Sequence, residues 1–256
     1  MNQPLLQYGS KGKSVVELQE LLNKWILRED GSHDFRYCKP DGDFGPNTLG
    51  IVRSYQLSMF LLKDGIVGSK TWNALLGLEM YNCFDLPTPF VPAPNPLQCW
   101  AGATAMELRQ SGPNTTQPPG VAFETVGGAL GGLENSDANM KKFAAHHGFQ
   151  MFASADALSC LQLINLVDQF GRLMLNIKGV DSNMQNGSPD DSHLVNLVGA
   201  RGNGQPSGTT ITIYNPSASI GDGRVITASY QYLKSKYPKL TYQVFYNFSN
   251  RSTPIK

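Results

Sequence analysis

The chain has 256 residues, enough for two small domains or one of moderate size, and its 41% hydrophobic and 10% aromatic content indicates folded cores. The formal net charge is +1 and no block of like charges occurs, so a nucleic-acid or anionic-membrane partner has no electrostatic support. No apolar run reaches transmembrane length, and Met1–Lys13 lacks the apolar core of a signal peptide. Either the sequence starts after a removed signal, or the protein leaves its cell by a route that reads no such signal.

The N-terminal segment contains a repeated turn. Residues 41–48 and 64–71 share the pattern Asp-Gly-x-apolar-Gly-x-x-Thr, in which the glycines supply unusual backbone angles. Apolar residues recur at helical spacing before the first turn (Leu18, Leu22, Trp25) and after it (Leu49, Val52, Tyr55). The pattern predicts three helices joined by two glycine turns, a small bundle over residues 1–80.

Over residues 9–77 this segment resembles the three-helix peptidoglycan-binding domain. The resemblance is carried by VxLQxxL at 16–22, DFGPxT at 43–48, YQ at 55–56 and DGIVGxxTWxxL at 64–75. It implies peptidoglycan as a partner, with Asp43, Phe44 and Thr48 near the first turn as candidate ligand contacts. The alternative is that most motif residues are core and turn determinants, needed for the fold alone. Residues 28–40 form an insertion relative to that family.

Five prolines between positions 87 and 96 predict an extended linker over residues 81–97. It separates the bundle from a second domain, residues 98–256. Of the four cysteines, Cys38 and Cys83 could form a disulfide or remain two free thiols, and Cys160 lies in an apolar run typical of a buried thiol.

The second domain begins with helical patterns and ends with strand patterns. Helices are predicted over 98–109, 137–147 and 155–170, and strands over 173–177, 193–198, 209–214 and 241–248. Helices followed by a mainly antiparallel sheet indicate an α+β domain.

Cys99 stands at the predicted start of a helix rich in small residues. The N–H groups and partial positive charge of a helix N-terminus stabilise a thiolate, the nucleophile of cysteine hydrolases. Such a nucleophile needs a base and a group that orients the base. The alternative is an unreactive buried cysteine.

His193 is the candidate base because it opens an apolar strand directly after a polar loop. His146 and His147 end a predicted helix, where the helix dipole favours an imidazolium, and His33 lies in the polar insertion. Asn215 follows the next strand. Gly204 lies eleven residues after His193 and eleven before Asn215, so a hairpin centred there places the two opposite each other.

Together, QCWA at 98–101, SHLVN at 192–196 and YNP at 214–216 resemble the papain-like cysteine peptidases, with bacteriocin-leader peptidases and plant-pathogen effector proteases as the nearest branch. The resemblance implies helices packed on a mainly antiparallel sheet, Cys99 as nucleophile, His193 as base and Asn215 as orienting residue. Ala93 stands where papain has its oxyanion glutamine, so Gln98, or else Asn95, is the candidate donor. Trp100, beside the nucleophile, is a candidate substrate contact.

These features predict a thiol-dependent hydrolase that cleaves amide or peptide bonds in peptidoglycan and needs no metal or cofactor. Alternatives are a papain-like protease acting on proteins and an inactive wall-binding protein. We expect action at the cell wall, secreted or periplasmic. Without a signal peptide the protein could be a phage-type lysin or, preferably, an antibacterial effector toxin, whose further partner would be an immunity or inhibitor protein.

Overall fold

A computed structural model describes residues 3–29, 37–59, 61–78, 82–153, 157–217 and 224–246. The chain divides into two compact units, residues 1–80 with 161–169, and residues 81–160 with 170–256. No helix in these described ranges is both long enough and apolar enough to cross a membrane.

The first unit contains the predicted bundle of three helices: α1 (Lys13–Glu29), α2 (Pro46–Ser58) and α3 (Ser69–Leu76). Its core is formed by side chains from all three helices and both turns, among them Leu18, Phe44, Val52 and Trp72. Because these residues are removed from water, the bundle has an apolar core of its own.

Each glycine turn is held by a buried glutamine from the helix before it. The side-chain amide donates to the turn's aspartate carboxylate and to the carbonyl two residues later, and its oxygen accepts from the glycine N–H. In the first turn, Gln19 makes these bonds to Asp41 (3.0 Å), Asp43 (3.1 Å) and Gly42 (3.0 Å). In the second turn, Gln56 makes them to Asp64 (3.0 Å), Ile66 (3.0 Å) and Gly65 (2.9 Å). Both glycines have positive φ, 75° and 79°. The sequence repeat is therefore a repeat of hydrogen bonding.

The second unit is a sheet with helices. Its helices are α4 (Cys99–Glu107), α5 (Asp137–His146) and α7 (Tyr230–Lys236), whereas most of α6 (Cys160–Phe170) groups with the first unit. The strands are β1 (Asn82–Asp85), β2 (Phe123–Val126), β3 (Ala129–Leu133), β4 (Gln150–Ala153), β5 (Leu173–Lys178), β6 (Ser192–Gly202), β7 (Thr209–Tyr214), β8 (Val225–Ser229) and β9 (Gln243–Tyr246).

Seven of the strands form one antiparallel sheet in the order β4-β9-β5-β6-β7-β8, with β1 paired to the second half of β6; β2 and β3 form a separate hairpin. A helical N-terminal region followed by an antiparallel sheet confirms the predicted mixed α+β organisation.

The segment predicted as a linker packs within the second unit. β1 pairs with Gly199–Gly202, and the Leu86 N–H donates to the Val198 carbonyl at 2.8 Å. Leu86 and Val91 are both buried. The closely spaced prolines predicted an extended linker, but the short apolar stretches around them form a strand and buried contacts at one side of the sheet. The domain limits 1–80, 81–97 and 98–256 themselves stay a prediction.

Helix α4 is fixed by close packing and by buried polar groups. A Cβ at Gly102 would lie 2.8 Å from the Val91 carbonyl oxygen and 2.8 Å from Pro216, so only glycine permits this approach. At the other end, buried Glu107 accepts from Asn196 Nδ2 at 2.8 Å and pairs with Arg172 at 3.4 Å. The bond between Glu107 and Asn196 holds the C-terminal end of α4 against β6, and the close approach at Gly102 fixes its middle.

Candidate active site

Three predicted residues meet at the N-terminal end of α4. Cys99 is the first residue of that helix, His193 lies near the start of β6, and Asn215 directly follows β7. The Leu194 N–H donates to the Cys99 sulfur at 3.4 Å, and the Cys99 and His193 side chains interact strongly enough for each to shift the pKa of the other. His193 Nε2 lies 2.8 Å from Asn215 Oδ1. All three side chains are buried.

The electrostatics of this site favour a thiolate–imidazolium pair. Burial alone raises the pKa of Cys99, but the His193 charge, the bond to His193 and the N–H groups of Leu194 and Trp100 outweigh it, and the pKa is lowered. Burial likewise lowers the pKa of His193, but the Cys99 thiolate, the bonds to Cys99 and Asn215 and the charge of Asp181 raise it overall. The two shifts run in opposite directions, which stabilises the charged pair.

Asn215 holds its place through further bonds. Its Nδ2 donates to the Ser182 carbonyl at 3.3 Å, and its Oδ1 accepts from the Ser217 N–H at 3.1 Å. The amide therefore presents its oxygen to His193, as an orienting group requires.

The β6–β7 hairpin, whose predicted register placed His193 opposite Asn215, has a different register in the structure. Gly202 pairs with Thr209, not with Pro206 as a turn centred on Gly204 would require, and a register shift lies between Leu197 and Gly199. Asn215 therefore reaches His193 diagonally from beyond the end of β7. The prediction brought these two residues together from a wrong register, because the loop between the strands spans residues 203–208 and is centred beyond Gly204.

Gln98 and Trp100 do not occupy the positions proposed for them. The Gln98 amide donates to the Leu130 carbonyl at 3.1 Å, which commits it to the β2–β3 hairpin. Trp100 is 1% exposed, packs against Phe123 and Phe143, and donates to the Gly131 carbonyl. Its large apolar ring is more favourable in the core than at a wet surface.

Asn95, the other candidate oxyanion donor, and Ala93, which stands at the position of papain's glutamine, each make a local hydrogen bond. The Ala93 N–H donates to the Pro216 carbonyl at 2.8 Å, and Asn95 Oδ1 accepts from the Leu97 N–H at 3.0 Å. Asn95 thus stabilises the turn before α4.

Two of the three candidate wall contacts lie inside the first unit. Phe44 is 0% exposed in the core, and Thr48 is buried and bonded to Gln19. Only Asp43 is exposed, where it pairs with Lys11 at 3.5 Å. The alternative interpretation, in which these motif residues are needed for the fold alone, therefore applies to Phe44 and Thr48.

The remaining histidines and cysteines lie elsewhere. His147 follows α5 between Phe143 and Phe149, where burial and the charge of His146 lower its pKa to about 4, so it is neutral rather than the dipole-stabilised imidazolium predicted. His33 lies outside the described residues. Cys38, buried, and Cys83, exposed, are free thiols, not a disulfide.

A cavity of about 240 Å³ opens beside Cys99 and His193. It is lined by Asn135 and Asn176, which no sequence motif indicated. Gln243 donates to the Asp137 carboxylate at 2.6 Å and accepts from Asn176 Nδ2 at 2.7 Å, and Asn176 Nδ2 also donates to Asn135 Oδ1 at 2.7 Å. A carboxylate only accepts, so this chain fixes each amide, and Asn135 Nδ2 is left without a described partner.

Within the described residues, no group of three or more His, Cys, Asp or Glu side chains is arranged to hold a metal ion.

Comparison with known proteins concerns mainly the first unit. Residues 11–75 match the family described as "Putative peptidoglycan binding domain". An uncharacterised protein from the bpoA1 3' region of Kitasatospora aureofaciens is 38% identical over 77 residues, which are 29% of this chain and 57% of that protein. The chain thus spans little more than half the length of this relative.

Two solved structures are similar to the chain. The SleB N-terminal domain is 32% identical, over 30% of this chain and 94% of that one, with a TM-score of 0.25. A fused Zn-dependent amidase/peptidase/peptidoglycan-binding domain-containing protein from Clostridium acetobutylicum ATCC 824 is 19% identical, over 94% of this chain and 96% of that one, with a TM-score of 0.24. From the family match, the chain carries a peptidoglycan-binding domain at its N-terminal end.

Proposed function

We propose that this protein is a papain-like, thiol-dependent hydrolase that cleaves amide or peptide bonds of peptidoglycan, to which its N-terminal domain binds. The observation that carries the proposal is the meeting of Cys99, His193 and Asn215 at a helix N-terminus, with the pKa of the thiol lowered and that of the imidazole raised. Nucleophile, base and orienting group are the three parts that nucleophilic amide hydrolysis needs.

The proposed reaction proceeds through a thioester. The Cys99 thiolate attacks the amide carbonyl, and the His193 imidazolium gives its proton to the leaving amine as the C–N bond breaks. His193, now neutral, takes a proton from water, whose oxygen attacks the thioester and releases the acid and the thiolate. The Cys99 backbone N–H, at the start of α4, and the Asn135 amide are the proposed donors for the developing oxyanion.

We further propose that the wall-binding surface surrounds the first glycine turn, in place of the buried Phe44 and Thr48. Tyr8 and Tyr37 are 61% and 63% exposed. The Gly9 N–H, next to Tyr8, donates to the Phe44 carbonyl, and Asn47 donates to the Tyr37 carbonyl, so both tyrosines adjoin the turn that carries Asp43. Exposed aromatic rings beside a polar group are typical of recognition surfaces. We call Tyr8, Tyr37 and Asp43 the first-turn surface.

Digestion of purified peptidoglycan tests the enzymatic proposal. Wild type and Cys99→Ala are incubated with sacculi, with Cys83→Ala as a matched control because Cys83 is a free, exposed thiol outside the site. We expect new free amines, identified by mass spectrometry of the muropeptides, with wild type and Cys83→Ala but not with Cys99→Ala, while all three proteins bind sacculi. Intact sacculi combined with Cys99-dependent cleavage of a protein substrate would instead favour a protease. Binding without any cleavage would favour a wall-binding protein.

The proposed site of action is the cell wall or periplasm, where peptidoglycan lies. If the protein is an antibacterial effector, wild type directed to the periplasm of a Gram-negative host should lyse the cells and Cys99→Ala should not. Absence of lysis with wild type secreted in soluble form would argue against the effector role and against an immunity protein as partner.

A further inference from the structure

The cavity beside Cys99 is bordered by carboxylates. Glu124 from β2 and Asp181, Asp190 and Asp191 from the segment before β6 line it. Among the described residues that line it, there is no lysine or arginine, and the His193 charge is matched by the Cys99 thiolate. The cavity therefore carries a formal excess of negative charge at neutral pH.

Two of these carboxylates are positioned by backbone donors. Asp181 Oδ1 accepts from the N–H groups of Asn183 and Gln185, both at 2.9 Å, and Asp191 Oδ2 accepts from the Ser188 N–H at 2.6 Å. No described residue donates to the second oxygen of either carboxylate. The loop fixes one oxygen of each group and leaves the other available to a ligand.

A buried acceptor adds an independent sign of a ligand. Asn176 is 0% exposed and lines the same cavity, and its Oδ1 has no hydrogen-bond partner, although both hydrogens on Nδ2 are used by Asn135 and Gln243. A buried oxygen without a donor is costly, so its retention here favours a donor that arrives with the substrate.

We propose that this cavity is a subsite for a primary ammonium group, so that the enzyme selects substrates with a free amine close to the scissile carbonyl. An ammonium has three donors and no acceptor, which matches a site of carboxylate and amide oxygens. The proposal rests on the proposed function: in peptidoglycan, the free amine would be that of a stem-peptide diamino acid or of a stem-peptide N-terminus.

The test compares one peptide with its acetylated forms. The substrates are L-Ala-γ-D-Glu-L-Lys-D-Ala-D-Ala with both amines free, its Nε-acetyl form and its Nα-acetyl form. We expect acetylation of the recognised amine to lower kcat/KM by about tenfold or more at low salt, an effect that shrinks as salt screens the charges. Which of the two acetyl groups lowers the rate identifies the amine.

Matched variants separate charge recognition from shape. Glu124→Gln and Asp190→Asn remove charge from side chains that make no described hydrogen bond, and Asp85→Asn makes the same change on β1, outside the cavity lining. The double variant Glu124→Gln/Asp190→Asn should reduce the preference for the free amine to about threefold or less, mainly through KM, while Asp85→Asn leaves it unchanged. Equal kcat/KM for all three peptides with wild type would overturn the subsite while the hydrolase proposal stands.

A binding measurement covers failure of the hydrolase proposal. With Cys99→Ala, calorimetric titration of the same peptides reports recognition without turnover. Tighter binding of the free-amine peptide, lost in a Cys99→Ala/Glu124→Gln/Asp190→Asn variant, would support the subsite even if no bond is cut. Identical affinity for free and acetylated peptides would overturn it.

Discussion

Asn215 acts on the chemistry only through His193, which makes it a positioning residue. Its Oδ1 is 2.8 Å from His193 Nε2, and its own orientation depends on the Ser182 and Ser217 backbone. The side chain adds no charge, so it acts by holding the ring and, through the same hydrogen bond, by raising the pKa of His193.

Asn215→Ala should therefore lower kcat/KM by about 10- to 100-fold, as expected when a catalytic group is misplaced, with a smaller effect on KM. Asn215→Asp keeps an acceptor for His193 and should lose less, although its carboxylate no longer donates to Ser182. Steady-state kinetics on a soluble muropeptide measure both. An Asn215→Ala enzyme with wild-type kcat/KM would contradict this role.

The ion pair predicts a reactive Cys99 in spite of its burial. Because the pKa of Cys99 is lowered from the ordinary 9.0 and that of His193 is raised from 6.5, the thiolate forms at a lower pH than in an ordinary cysteine, and the imidazolium persists to a higher pH than in an ordinary histidine. As pH falls the thiolate is protonated, and as pH rises the imidazolium loses its proton, so kcat/KM should follow a bell-shaped curve.

Alkylation by iodoacetamide, followed by peptide mass spectrometry, isolates the acid limb of that curve. At pH 7 Cys99 should react faster than the exposed Cys83. In His193→Ala the interaction that mainly offsets burial is lost, so the pKa of the Cys99 thiol should rise. The alkylation rate of Cys99 at pH 7 should then fall by tenfold or more. A Cys99 rate that is unchanged by His193→Ala would contradict the ion pair.

At the scale of elements, α4 shows how tertiary packing can reverse the usual stabilising effect of replacing glycine by alanine in a helix. Gly→Ala in a helix interior normally stabilises by about 1 kcal/mol. At Gly50 in α2, where an added Cβ meets nothing within 4 Å, that gain is expected. At Gly102 the added Cβ would clash with backbone at 2.8 Å, so α4 must shift.

Gly50→Ala should thus raise the melting temperature, and Gly102→Ala should lower the stability of the second unit by about 1–3 kcal/mol, as overpacking does, and lower activity as well. Calorimetric melting of the two variants beside wild type provides the test, with each serving as the other's control. Stabilisation by Gly102→Ala would show that α4 is not held against Val91 and Pro216.

The elements that the sequence predicted are those with a strong apolar pattern. β7 alternates TTITIY and is observed at the predicted bounds, and α4 and α5 lie within about two residues of theirs. β1, β2, β3, β4 and β8 were not predicted because each has only four or five residues, and β2 is largely exposed, which leaves little hydrophobic signal.

The candidate site divides in the same way. Cys99 and His193 could be found because each adjoins a recognisable element, whereas Asn176 is an amide within a hydrophobic strand, with no local signal of its network. Residue type alone also misled at Trp100, Phe44 and His147, since tertiary burial decided the environment of each.

At the scale of the whole molecule, one chain carries a wall-binding domain and the proposed hydrolytic site. Holding an enzyme on its insoluble substrate raises the effective substrate concentration without any change in the active site. Binding and turnover should then be separable by the physical form of the substrate, since a soluble muropeptide gains nothing from attachment to the wall.

A variant of the first-turn surface, Tyr8→Ser/Tyr37→Ser, should therefore bind sacculi more weakly and digest them about 10- to 100-fold more slowly, yet cleave a soluble muropeptide at the wild-type rate. Leu57→Ser/Leu62→Ser is the matched control, because these side chains are also exposed, at 59% and 67%, in the first unit. Sedimentation with sacculi measures binding, and release of new amines measures turnover. If both double variants digest sacculi like wild type, the wall-binding surface lies elsewhere on the domain. If the tyrosine variant also slows on the soluble substrate, its effect is not tethering, because tethering acts only on the polymer.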